Sequence, residues 1–119
     1  MMLLVHRNSI GAVGEDLVLQ RYLAQGGIFL GRNIYSRFGE IDLVVLLKRF
    51  IHVIEVKTTE TRFNSVSLVN ERKVNKINRT FEIWLNKFKF QNEGQLEVKF
   101  CVYVVSLDVN IKVKQYFIY

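Results

Sequence analysis

The chain has 119 residues, half of them hydrophobic and 24% charged; that is one domain's worth, apolar enough for a core, and it excludes a disordered chain. No apolar run approaches the roughly 18 residues of a membrane helix, Met1 to Val5 is too short for a signal-peptide core, and the lone Cys101 excludes an internal disulfide or a thiolate metal cluster, so a cytoplasmic protein without membrane contact is expected. Lys plus Arg exceeds Asp plus Glu by 17 to 11, a net charge of +6, which points to a polyanionic partner, nucleic acid first, although solubility alone would also account for it.

No linker, repeat or low-complexity segment divides the sequence, so residues 1–119 are expected to form a single domain. Residues 9–26 read as a helix, with Ser9 as a plausible N-cap and Gly26-Gly27 as the stop. Ile10, Val13, Leu17 and Ala24 fall on one side. Val18, Leu19 and Tyr22 extend the apolar surface, and Glu15 shares their stripe, which places a carboxylate facing inward or at the core's edge. Residues 28–36, 39–47 and 50–58 read as three strands, the last two joined by a turn at Lys48-Arg49. Residues 70–89 carry the clearest amphipathic pattern, with Val74, Ile77, Phe81, Trp84, Leu85 and Phe88 on one face and Arg72, Lys73, Lys76 and Arg79 on the other. Residues 97–107 read as a fourth strand, Asp108 to Asn110 as a turn, and residues 111–119 as a short fifth strand. The order αβββαββ predicts a layered α/β or α+β domain.

The chemistry concentrates in Gly39-Glu40-Ile41-Asp42-Leu43 and Val53-Ile54-Glu55-Val56-Lys57. Strand alternation puts Glu40 with Asp42 and Glu55 with Lys57 on a face. A hairpin folded about Lys48-Arg49 sets Asp42 opposite Glu55 and Glu40 opposite Lys57. Ile41, Leu43, Val45 and Leu47 then share the other, buried face with Ile54 and Val56. Two carboxylates facing each other across a strand pair repel by about 0.2–1 kcal/mol. A divalent cation such as Mg2+, which takes one or two carboxylates plus water and phosphate, would offset that. A lysine two residues beyond one ligand could then act on the bound water or the developing phosphorane charge. A Glu-x-Lys on its own is more often a solvated surface pair, with Lys57 held by Glu40 or Glu55 at roughly 0–1 kcal/mol. The opposed carboxylate, its fixed register and Glu15 shift the balance toward a phosphodiester-cleaving site.

Asp42 followed by Glu55-Val56-Lys57 resembles the PD-(D/E)xK motif of restriction-endonuclease-like nucleases, whose core order is αβββαβ. The match is closer still to the YraN family of small bacterial endonuclease-like proteins. Its pattern is met by Gly14-Glu15, Tyr22-Leu23, Gly26, Arg32-Asn33, Gly39 to Leu43, Ile54 to Thr58, and Lys73 at the start of the second long helix. The resemblance spans roughly residues 9–107. It implies a central mixed sheet flanked by helices, with Asp42 and Glu55 as Mg2+ or Mn2+ ligands and the Val56 carbonyl as a third. It also implies Lys57 as the catalytic lysine and Glu15 as an additional acid, with Glu40 as an accessory residue. Related junction-cleaving nucleases act as dimers, so a homodimer stays open. Ile41 stands where the superfamily's proline would be, Thr59 where the family usually has Arg, and Lys99-Phe100-Cys101 where it has Arg-Phe-Asp. None of these changes removes an implied ligand.

The function expected is therefore a metal-dependent DNA nuclease, selecting by structure rather than by sequence since 119 residues leave little room for a base-reading insertion. Arg72, Lys76 and Arg79 would form a phosphate-contacting stripe flanked by Lys73. The alternative is a non-catalytic nucleic-acid-binding or protein-interaction module that keeps the fold. His6 and His52 lack zinc spacing, His52 reads as structural, and Cys101 reads as a buried inert thiol. Tyr35, Phe38 and Phe63 could stack on bases, but scattered aromatics of this kind usually pack.

Overall fold

A computed structural model describes residues 9–60, 71–88, 96–108 and 110–117. Helix α1 spans Ser9–Ala24 and strands β1, β2 and β3 span Ile28–Ser36, Gly39–Leu47 and Phe50–Thr59. Helix α2 spans Glu71–Phe88, followed by β4 at Glu97–Leu107 and β5 at Ile111–Phe117. The five strands form one sheet in the order β1-β2-β3-β4-β5. Only β3 and β4 are parallel, because the α2 crossover returns the chain in the same direction. The αβββαββ order read from the pattern, and the mixed sheet that the resemblance implies, are what the chain adopts.

Helix α1 ends two residues earlier than predicted, at Ala24. Gly26 takes φ +90°, and the Gly27 and Gly26 amides donate to the carbonyls of Tyr22 and Leu23 at 2.8 and 3.0 Å. These are the two bonds of a Schellman stop, which needs a left-handed residue that glycine supplies without strain. The helix's core side also differs from the first stripe predicted: Val13 and Ala24 are exposed, while Gly14, Val18 and Tyr22 are buried. The stripe carrying Glu15 is the one that faces the sheet.

Both faces of the sheet are covered, where the hairpin pattern implied one buried side. Val18 and Tyr22 of α1 pack on Leu43, Val45, Ile54, Val56, Cys101, Tyr103 and Val105. Ile77 and Phe81 of α2 pack on Ile41, Val44, Ile51 and Val53. Ile41 thus lies in the α2 core rather than beside Leu43 and Val45. Between Arg32 and Ile34, the β1 partners of Leu43 and Ile41, Asn33 adopts φ 51°.

The α1 core holds a buried polar chain. Tyr103 donates its hydroxyl to the Tyr22 oxygen at 2.8 Å, and Tyr22 donates to His52 Nδ1 at 2.8 Å. Burial and the nearby Lys99 charge lower the His52 pKa, which suits an unprotonated Nδ1 acceptor. His52 is therefore structural, as expected. Cys101 is a buried free thiol, its pKa pushed up by burial to about 11, and this leaves it unreactive.

Candidate functional site

The β2–β3 ladder pairs Leu47 with Phe50, Leu46 with Ile51, Val45 with His52, Val44 with Val53 and Leu43 with Ile54. The two-residue turn at Lys48-Arg49 fixes that register, with Lys48 at φ 59°. The same sum carried one step further would set Asp42 opposite Glu55, but the ladder stops there. Strand β2 continues with β1, as far as Ser36 opposite Gly39. Strand β3 instead continues with β4, as far as Thr59 opposite Ser106. The two strands diverge at residues 42 and 55. The Val56 amide, left without a β2 carbonyl, donates to Asp42 Oδ2 at 2.7 Å. The predicted Glu40–Lys57 pairing is accordingly not formed. Glu40 is exposed and lies across from Tyr35 on β1, while Lys57 turns to Glu55.

Asp42 and Glu55 are both buried, at 5% and 9% exposure. Burial first, and then the Glu55 charge, push the Asp42 pKa up to about 7; the Val56 amide works against this, and the charges of Glu15 and Glu40 add to it. Glu55 faces the α2 side, alternating with Ile54 and Val56 on the α1 side. Its Oε1 lies 3.9 Å from Lys57 Nζ and 3.5 Å from Lys73 Nζ. Lys73 is therefore a neighbour of the acid pair, and not only a flank of the basic stripe as the sequence suggested.

Glu15 reaches the same end of the sheet from α1. Arg32 of β1 donates through Nε to Glu15 Oε1 at 3.0 Å, through Nη1 to Asp16 at 2.6 Å, and through Nη2 to the Ala12 carbonyl at 3.1 Å. Glu15 is thus an ion-paired carboxylate whose charge is felt at Asp42. The helix can lie this close because residue 14 is glycine: a Cβ there would sit 1.8 Å from Thr58 Oγ1. The Gly14-Glu15 and Arg32-Asn33 motifs, separated in sequence, meet in this contact.

Beside the acid pair is a cleft of about 340 Å3 lined by Phe38, Gly39, Glu40, Arg72, Lys73, Lys76 and Ile77. The Arg37 and Arg79 guanidiniums lie 4.9 and 5.1 Å from the Phe38 ring centre. Arg72, Lys76 and Arg79 are exposed on α2, as the stripe predicted. Arg37 was not singled out from the sequence, because it occupies a turn with no periodicity to mark it. Phe63 lies outside the described residues.

The fold and this site define a small α+β protein whose mixed sheet opens at a buried pair of carboxylates, bracketed by lysines from a strand and a helix. The chain belongs to the family described as Uncharacterised protein family UPF0102, whose model matches residues 14–109; this is the YraN-like family to which the motifs point. It is similar to a UPF0102 protein of Campylobacter lari, 34% identical over 93 residues, or 78% of this chain and 82% of that one. A Corynebacterium glutamicum UPF0102 protein is 35% identical over 101 residues, covering 83% of this chain and 79% of its own length. A third, from Campylobacter fetus, is 30% identical over 88 residues, covering 74% and 79%. No described helix is long and apolar enough to cross a membrane.

Proposed function

We propose that this chain is a metal-dependent nuclease that hydrolyses DNA phosphodiester bonds and selects its substrate by structure rather than by base sequence. The observation that carries the reading is the convergence of Asp42 and Glu55 at the point where β2 and β3 part, with two ammonium groups on Glu55. A buried carboxylate pair of this kind is short of positive charge, which is why burial and Glu55 hold the Asp42 pKa near 7.

The donor set suits a hard divalent cation. Among the described residues no three His, Cys, Asp or Glu side chains are grouped to hold an ion. Asp42 and Glu55 would therefore supply two ligands and the Val56 carbonyl a third, leaving the other positions to water and phosphate, as Mg2+ and Mn2+ are commonly held. Such an ion lowers the pKa of its water and polarises a phosphoryl oxygen. The protein's own part is charge placement. Lys57 and Lys73 place their side-chain nitrogens beside Glu55, where they can donate to a non-bridging phosphate oxygen as charge accumulates on it. The Val56 amide fixes the Asp42 carboxylate, and Arg32 holds Glu15 at the rim. The basic face of α2 carries the flanking phosphates.

A second reading, a non-catalytic nucleic-acid-binding or protein-interaction module, is favoured by one feature: Lys57 and Lys73 already partly neutralise Glu55 without any ion. A cleavage panel of linear, flapped, gapped and four-way-junction DNA with Mg2+ or Mn2+ separates the two. The nuclease cuts at least one substrate, and millimolar Mn2+ raises its melting temperature. Absence of cleavage together with an unmoved melting temperature leaves the module.

A further inference from the structure

The cleft at the β1–β2 turn has a composition that a simple phosphate track does not explain. Its rim is cationic, with Arg72, Lys73 and Lys76, its wall is apolar, with Phe38 and Ile77, and Glu40 adds a carboxylate. Among the described residues Arg72 and Lys76 form no ion pair. Glu40 among these cations would repel a phosphate, but it suits an N–H donor such as the exocyclic amine of a base.

The aromatic component is built in the same way. Phe38 carries the Arg37 and Arg79 guanidiniums over its ring, and guanidinium planes stack on bases as aromatic faces do. Tyr35 stands across the strand pair from Glu40 and is 70% exposed. The Glu40 charge beside it raises the Tyr35 pKa. The turn is tethered in place. Ser36 and Thr80 hydroxyls meet at 2.7 Å, Thr80 donates to the Lys76 carbonyl at 3.0 Å, and the Phe38 amide donates to Ser36 Oγ at 3.0 Å. The cleft is therefore preformed against α2, with Lys73 shared between it and Glu55.

We infer that this cleft is a subsite for one unpaired nucleotide next to the scissile phosphate, its base against Phe38 with its edge on Glu40 and its phosphates on Arg72, Lys73 and Lys76. The inference rests on the nuclease reading for the position of the scissile phosphate, and it deepens that reading by naming the substrate class: a strand with an unstacked nucleotide, such as a flap, gap or single-stranded end. About 340 Å3 is at the small-ligand end of binding pockets, room for a nucleotide but not for a base pair. A base within a duplex has both faces stacked and its pairing edge hidden, and can present neither to this cleft.

The test is binding measured in EDTA, where nothing is cut and the result does not depend on catalysis. Fluorescein-labelled 12-nucleotide single strands and the matching duplex are titrated with wild type, Phe38→Leu and Glu40→Gln. Leucine keeps apolar bulk in the turn and removes the aromatic face, and melting curves identify any loss of fold. The expected result is that Phe38→Leu weakens single-strand binding about fivefold or more and changes duplex binding less than twofold. Wild type prefers a dC strand, which carries the amine, over a dT strand, and Glu40→Gln narrows that gap. Equal losses on single strand and duplex, unchanged single-strand affinity in Phe38→Leu, or no single-strand binding by wild type would each overturn the subsite. A protein that cuts DNA yet fails this comparison keeps the nuclease reading and loses the subsite; one that passes it and cuts nothing loses the nuclease reading alone.

Discussion

Arg32 closes on Glu15 at 3.0 Å and so ties the first strand to the first helix at the rim of the acid pair. Both side chains are partly withdrawn from water, and the two losses are unequal: Arg32 keeps Asp16 when Glu15 is removed, whereas Glu15 loses this ion pair when Arg32 is removed. Arg32→Ala is expected to lower stability by about 1–3 kcal/mol. Glu15→Gln, which keeps an oxygen acceptor, is expected to cost less. A double-mutant cycle by urea denaturation should give a coupling of at least about 0.5 kcal/mol; a coupling near zero would mean that solvent screens the pair.

The Asp42 pKa sets a pH dependence with a definite sign. Its folded-state value is raised from 3.8 to about 7, so between those limits the folded protein holds a proton that the unfolded chain has released. Folding stability from this group is fully present below pH 3.8 and is lost as pH rises toward 7, with a limiting slope of about 1.4 kcal/mol per pH unit. Mn2+ must displace that proton, so metal affinity should rise about tenfold per pH unit below 7 and level off above it. Denaturation midpoints from pH 5 to 8 for wild type and Asp42→Asn measure the difference. A wild-type advantage that grows with pH would contradict the assignment.

Much of this was legible before the structure, for identifiable reasons. The Lys48-Arg49 turn and the alternating Leu43, Val45, Ile54 and Val56 determine one register, and the paired residues obey it from Leu47–Phe50 to Leu43–Ile54. The end of that register was not legible. It depends on β2 following β1 while β3 follows β4, a competition between partners that no local pattern encodes. That divergence frees the Val56 amide for Asp42 and separates Glu40 from Lys57. Lys73 was placed on the polar side of its helix correctly, but its reach to Glu55 depends on where the α2 crossover sets the helix. The Tyr103–Tyr22–His52 chain joins residues 30 to 81 positions apart and left no local signal.

That chain should be visible in stability alone. Tyr22→Phe deprives Tyr103 of its acceptor and His52 Nδ1 of its donor in a buried site, at a cost of about 1–3 kcal/mol. Tyr103→Phe removes only the terminal donor and should cost less. Tyr22 is the middle member of the chain, so urea midpoints that rank the two in the opposite order would mean that these hydroxyls do not form a buried chain that contributes to stability.

The exposed cations of α2 should appear in the salt dependence of binding. If Arg72, Lys76 and Arg79 each contact a phosphate of duplex DNA, each charge removal should lower the log–log salt slope by about 0.9. Lys76→Glu with Arg79→Glu at unchanged affinity would reject the stripe as a phosphate track.

Lys57 and Lys73 contact the same oxygen of Glu55, at 3.9 and 3.5 Å, from different elements, and this separates their effects. Lys57 lies on β3 two residues from Glu55, on the same face of the strand, where the geometry of the reacting phosphate is set most rigidly. Lys57→Ala should lower turnover by about 10²- to 10³-fold, the usual effect of losing a preorganised charge, while DNA affinity stays nearly unchanged. Lys73→Ala should weaken binding as well, since its ammonium also lines the nucleotide cleft. Each ammonium competes with a cation for Glu55, so neither substitution should weaken Mn2+ binding, and calorimetric titration should show equal or tighter affinity. Asp42→Ala and Glu55→Ala should abolish Mn2+ binding and cleavage together. If the lysines serve only to neutralise Glu55, their removal changes melting temperature and leaves the cleavage rate where it was. A Lys57→Ala protein that cuts at the wild-type rate would therefore end the catalytic assignment of the pair.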